Sequence, residues 1–152
     1  MVKRIVSGGQ TGADRAALDF AIQHGITHGG WVPKGRLAED GPLPRRYRLK
    51  ETKSASYPER TEQNVIHSDG TLIVSHGSLT GGSANTLKMA VKHGRPCLHL
   101  DMEKLRFRDA TQMLRSWIAE NVIEVLNVAG PRKSNDPSIY ETTLKILQAT
   151  FS

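Results

Sequence analysis

The sequence predicts an α/β fold, a mostly parallel sheet with helices on both faces, and three observations carry that prediction. Short β-branched runs alternate with amphipathic helical stretches along the chain. Two glycine-rich loops each follow a strand-like run and lead into a helical one, as the loops at the carboxyl edge of such a sheet do. The 152 residues, 38% hydrophobic and 24% charged, suit one domain, residues 1–152, with enough apolar material to bury a core.

Lys3 to Ser7 reads as the first strand and Gly8-Gly-Gln-Thr-Gly12 as the loop after it. A helix follows from Ala13 to about His24, with Leu18, Ala21 and Ile22 on one face and Gly25 as its stop. From His28 to about Pro44 glycine, proline and charge dominate; so long a connection is expected to serve a site or an interface, with a short second strand from Gly30 to Pro33. Arg48 to Thr52 is a third strand, and Ser56-Tyr-Pro-Glu59 is a capping box with proline in the first turn, opening a helix to about His67.

Thr71 to Ser75 is the best strand of all. Its continuous apolar centre indicates burial on both faces, and Asp69-Gly70 reads as a turn before it. The loop His76 to Ser83 leads to a helix carrying Leu87, Ala90 and Val91, which His93-Gly94 ends ahead of Pro96. Cys97 to Leu100 is a strand; Ala110, Met113, Leu114, Trp117 and Ile118 mark an amphipathic helix. Ile123 to Val128 is the last strand, and Asp136-Pro137 starts a final helix reaching about Ala149. About six strands and five helices in this alternation match a Rossmann-like three-layer sandwich.

Charge and composition bound the function. Lys and Arg number 21 against 15 Asp and Glu, a balance of +6 that favours an anionic partner. The apolar runs are as short as Leu72-Ile-Val74 and Met1 leads straight into a strand, so neither a membrane span nor a signal peptide is expected, and the cytoplasm is the expected location. The lone Cys97 excludes an internal disulfide and a Cys-rich metal site, and reads as a buried apolar residue. Aromatics at 5% leave little for a base-stacking platform, so nucleic acid is not the expected partner.

The two glycine loops are the candidate ligand cradle. Gly8, Gly9, Gln10, Thr11 and Gly12 form the first; Gly77, Ser78, Thr80, Gly81, Gly82 and Ser83 form the second, with His76 at its start and Thr86 one turn into the helix. Glycine admits close approach of backbone N–H groups to an oxyanion, and a helix N-terminus adds partial positive charge. The bland alternative is a pair of ordinary tight turns. Neither loop is a Walker A motif, and the first departs from Gly-x-Gly-x-x-Gly. Asp14 suits the helix dipole, whereas Arg15 beside it calls for an anion. Arg60 and Asn64, four apart, share a helix face that meets either the crevice or solvent. Arg45, Arg46 and Arg48, near Lys50 and Lys53, form a basic cluster that is either a solvated face or a steering surface. Trp31 reads as core or subunit interface, His24 and His93 as helix caps, and His28, His67 and His99 show no metal-ligand spacing.

The run Gly8-Gly-Gln-Thr-Gly-Ala-Asp-Arg-Ala-Ala-Leu-Asp19, with Gly30-Trp-Val-Pro-Lys-Gly-Arg-Leu-Ala-Glu-Asp-Gly-Pro42, Glu51-Thr52, Arg60-Thr61, Ser68-Asp-Gly-Thr71, Gly81-Gly82 and Val128-Ala-Gly-Pro-Arg132, resembles the molybdenum cofactor carrier family almost end to end. The resemblance implies a Rossmann-like carrier, commonly a homo-oligomer, that holds a molybdopterin whose phosphate and oxo-molybdenum are anionic. On that reading Lys34 and Arg36 contact phosphate or molybdate oxygens, and Glu39 or Asp40 accepts from pterin N–H groups. The resemblance also implies kinship with the lysine-decarboxylase-like phosphoribohydrolases, and hence a rival: a nucleotide-binding protein or an N-glycosidic hydrolase, with Asp14, Glu39, Asp40 or Glu51 as its acid or base. Against the hydrolase, Gly81-Gly-Ser-Ala-Asn-Thr-Leu-Lys88 places a lysine where those enzymes carry a glutamate, and lysine does not do a carboxylate's proton work at neutral pH. A carrier without catalytic residues is therefore the expected function.

Overall fold

In the computed structural model, which describes residues 1–152, the chain runs through nine strands and five helices. The first part contains β1 (Arg4–Val6), α1 (Ala13–Gln23), β2 (Thr27–Gly29), β3 (Trp31–Val32), β4 (Leu37–Ala38), β5 (Gly41–Pro42) and β6 (Lys50–Glu51). The second contains α2 (Tyr57–Ile66), β7 (Gly70–Ser75), α3 (Gly81–Lys92), β8 (Cys97–Asp101), α4 (Phe107–Glu120), β9 (Val125–Ala129) and α5 (Ile139–Phe151). Five strands make the central sheet in the order β2-β1-β9-β7-β8, every pair parallel. Helices α1, α5 and α4 pack side by side, and α2 packs on α3, giving three layers.

β7 is buried along its whole length, as its unbroken apolar run requires. Its fully buried Leu72 and Val74 join Ile5, Phe20, Leu100, Leu114, Leu126 and Ile146 in the main core, each such side chain contributing about 1.5–3 kcal/mol by leaving water. Leu18, Val32, Leu43 and Tyr47 form a smaller core under the long connection. The Ser56 side chain accepts from the Glu59 amide at 3.4 Å, as the capping box predicts.

The strands differ from expectation in four respects. The second sheet strand is Thr27–Gly29, not Gly30 to Pro33; at Gly30 the chain has φ +125° and passes so close to the Ser7 carbonyl that no Cβ fits, so it leaves the sheet there. Trp31–Val32 and Lys50–Glu51, within the second and third predicted strands, pair with each other in a separate two-stranded sheet. The long connection also holds a small hairpin, β4–β5, whose two-residue strands are too short for periodicity to reveal. Gly70 opens β7 rather than serving as a turn, since it pairs with Leu126 of β9, and a side chain there would collide with the Trp117 ring and Ile123.

The sheet order has one further property. Counting from β9, the five strands fall in the order third, second, first, fourth, fifth, the doubly wound arrangement, although β9 comes last in the chain. In that arrangement the strand order reverses between β9 and β7, so a ligand crevice is expected at the carboxyl ends of those two strands.

Candidate functional site

A cavity of about 500 Å³ lies at that place. Its wall comes from the ends of β1, β7 and β9, the start of α3 and one face of α2, and only three of its 25 lining residues are hydrophobic. Asn127, between β1 and β7 in the sheet, forms part of the floor and donates to the Thr71 hydroxyl at 3.1 Å. β9 thus inserts its own following loop, Gly130 to Ser138, between the two glycine loops.

The two glycine loops differ in what they leave open. In the first, the Gly9 amide donates to Ser7 Oγ at 3.3 Å, the Gln10 amide to Asp14 Oδ2 at 3.3 Å and the Thr11 amide to Gln10 Oε1 at 3.1 Å. The three central amides of this loop are thus taken by the protein's own side chains. In the second, the N-cap Thr80 makes no side-chain cap, and the amides of Gly81, Gly82 and Ser83 have no acceptor within the chain. These three donors, at the positive end of a 12-residue helix, remain for an anion. Added Cβ atoms at Gly81 and Gly82 would meet nothing, so the approach is open.

Two guanidiniums share the cavity. Arg60 is 9% exposed; its Nη1 donates to the Gly8 carbonyl at 2.6 Å and stands 3.8 Å from Asp14 Oδ2. Gly8 is required here, because a Cβ at this position would fall on the Arg60 guanidinium. Burial holds the Arg60 pKa below the usual guanidinium range, against the attraction of Asp14. Arg132, from the β9–α5 loop, is the second. The Asp14 carboxyl is pushed up to about 6 by burial, with Arg60 and the Gln10 amide pulling the other way. Gln10 keeps its Nε2 buried with no partner while its Oε1 accepts from the Thr11 and Glu39 amides. On the opposite wall His76 Nδ1 is 2.6 Å from Asp136 Oδ2, and its Nε2 lies 3.2 Å from Thr142 Oγ1. Burial raises the Asp136 carboxyl, but the hydrogen bonds of His76 and Ser138 outweigh it and the net direction is down. No group of three or more His, Cys, Asp or Glu side chains is placed to hold a metal. Two guanidiniums and three open helix-start amides suit the site to an oxyanion.

The family model described as the circularly permutated YpsA SLOG family matches residues 5–151. The chain belongs to this family. The permutation is visible in the sheet, where the last strand occupies the place of the first. A crystal structure of a protein from Syntrophus aciditrophicus, provisionally named a molybdenum carrier protein, has 53% sequence identity and a TM-score of 0.98, covering 99% of this chain and 96% of that one. No curated protein matches the chain. The resemblance to the molybdenum carrier family expected from the sequence motifs is thereby established, and with it the Rossmann-like α/β fold.

Among this family member's sequence-predicted site residues, Gly8, Gln10, Asp14, His76, Gly81, Gly82, Ser83 and Thr86 line the cavity. Gly9, Thr11, Gly12, Arg15, Lys34 and Arg36 do not. Gly12 is needed instead for its φ of +81° and the close Pro131 carbonyl. The anion that Arg15 calls for is the protein's own Asp40, paired bidentately at 3.0 and 3.1 Å. Arg36 donates to the carbonyls of Leu43, Pro44, Tyr47 and Leu49 and so organises the long connection. Lys34 is exposed outside the cavity, as are Glu39, Asp40, Glu51 and Lys88, leaving Asp14 as the one proposed acid or base inside it. Arg60 and Asn64 turn their shared face to the cavity; Asn64 also clamps the backbone of Trp31 with bonds of 2.8 and 3.0 Å. The basic cluster Arg45, Arg46, Arg48, Lys50 and Lys53 is exposed and lies away from the cavity. Cys97 is half-buried on edge strand β8, and burial pushes its thiol up to about 11. Sequence reasoning missed Asn127 and Asp136, and Arg132 entered only through the resemblance; their importance depends on β9 lying between β1 and β7.

Proposed function

We propose that this protein binds and carries a molybdenum cofactor-type ligand, a molybdopterin bearing an anionic phosphate and oxo-molybdenum, in the cavity between β9 and β7, without turning it over. The observation that carries this reading is the set of unfilled amides at Gly81, Gly82 and Ser83 in the same cavity as Arg60 and Arg132. Amides at a helix start take one oxyanion and two guanidiniums take another, which suits a ligand anionic at both ends. The carrier name of the Syntrophus aciditrophicus relative supports the molybdenum part of the reading. Gln10, Asp14, His76, Asp136 and Asn127 supply donors and acceptors for a polar ring system between those ends. One domain suffices for this task, in the cytoplasm and as a homo-oligomer, whose size native mass spectrometry of the protein with co-purified ligand measures.

The test is protection. Purified protein is expected to slow the oxidative loss of added molybdenum cofactor, and Gly82→Leu to abolish the effect while leaving thermal unfolding nearly unchanged, because the space at Gly82 is open. Equal decay of the cofactor with and without wild-type protein would rule the carrier reading out.

A further inference from the structure

Tyr57 is the first residue of α2, with Ser56 as its N-cap and Pro58 after it, and is 36% exposed. Both cavity guanidiniums lie on its ring. The Cζ of Arg60 is 5.3 Å from the ring centroid and the Cζ of Arg132 is 5.6 Å from it. The two arginines come from elements far apart in the chain, α2 and the β9–α5 loop, and Arg132 opposes the charge on Arg60. One buried carboxylate, Asp14, stands near Arg60, while Arg132 makes no ion pair within 4 Å and no side-chain hydrogen bond within the chain, its charge reaching only the more distant Glu39 carboxylate. Two like charges that oppose each other across one site are eased by an anion between them or by a surface that attracts both. The electron-rich face of an aromatic ring is such a surface.

We infer that Tyr57 is a positioning residue of the anion site: its ring holds the Arg60 and Arg132 guanidiniums together so that both present donors to one ligand oxyanion. This rests on the reading of the cavity as an anion site. The ring rather than the hydroxyl does the work, since the phenol oxygen has no hydrogen-bond partner in the chain. A free arginine side chain spends its rotamer entropy on binding, whereas one already stacked has less to lose. Removing the ring therefore weakens anion binding although Tyr57 does not itself line the cavity.

The measurement is isothermal titration of the full chain with inorganic phosphate and, separately, with molybdate. Tyr57→Leu is expected to weaken both by about tenfold, and Tyr57→Phe to stay within about twofold of wild type. In an Arg132→Gln background, Tyr57→Leu should cost less than it does alone, because part of its effect passes through Arg132. Tyr57→Met, which also lacks the ring, is run in parallel so that a folding failure of one aliphatic variant leaves the test intact. Undiminished binding by the aliphatic variants overturns the inference, and so does a Phe variant as weak as Leu, which would mean that the hydroxyl contacts the ligand. A wild-type protein that binds neither anion overturns the reading of the cavity and this inference with it.

Discussion

Asp14 occupies the first turn of α1, where the helix dipole welcomes a carboxylate, yet burial raises its carboxyl from 3.8 to about 6. Because the folded state binds this proton more tightly than the unfolded chain, the stabilisation is fully present below about pH 3.8 and is lost as pH rises through about 6. It amounts to about 3 kcal/mol, and an Asp14→Asn protein should lack that part of the pH dependence in chemical unfolding. The same proton bears on the ligand. Neutral Asp14 leaves the Arg60 charge uncompensated, so sulfate should bind about threefold to tenfold more tightly near pH 5 than near pH 7.5, with Asp14→Asn flattening the profile in a titration. From the sequence Asp14 was legible as a dipole partner and a cradle residue; its burial beside an arginine 46 positions later was not.

Among the elements, the β4–β5 hairpin shows how much a short segment can hold. The carboxylate of Glu39, at its tip, accepts from the Thr11 hydroxyl, from the Ser134 amide at 3.0 Å and from the Ser134 hydroxyl at 2.6 Å. The Thr11 hydroxyl in turn accepts from the Lys133 amide at 3.0 Å. The hairpin thus straps the loop that carries Arg132 and Asp136 to the start of α1. Hydrogen bonds from Ser134 and then Thr11 hold the Glu39 carboxyl below its ordinary value, so this contribution is present above about pH 4.5 and is lost as pH falls through the lowered value. Glu39→Ala should speed hydrogen exchange at the Lys133 and Ser134 amides with little change at β7, which a site-resolved exchange measurement will show. Glu39 and Asp40 read in the sequence as ligand contacts because charged residues on a long connection beside a crevice suit that role. They proved to be ligands of the protein itself, a distinction that depends on which loops the fold brings within reach.

For the whole molecule, the sheet order makes a prediction about connectivity. β9 pairs with β1, and α5, which follows β9, packs on α1, which follows β1. A helix returning from a parallel strand ends at the edge where the next strand begins, so the end of α5 comes back toward the start of β1. A chain opened in the exposed turn at Asn121 and Val122, with Ser152 joined to Met1 by a short flexible linker, would carry β9 and α5 first and have the unpermuted doubly wound order. It should fold to the same structure, retain the same anion affinity and melt within about 10 °C of the parent; calorimetry and titration decide it.

The sequence by itself determined the α/β class, the five helices, the buried strand at Thr71 to Ser75 and the two glycine loops, because periodicity, caps and glycine act over a few residues and need no distant partner. The family kinship was legible for the same reason, in short runs kept in order. Only the tertiary structure decided which glycine loop is free, since that depends on whether Ser7, Gln10 and Asp14 have already taken the amides. It also decided that Arg60 and Arg132 meet on one ring and that the last strand lies at the centre of the sheet. Strand order is a property of long-range pairing, and local sequence patterns leave it open.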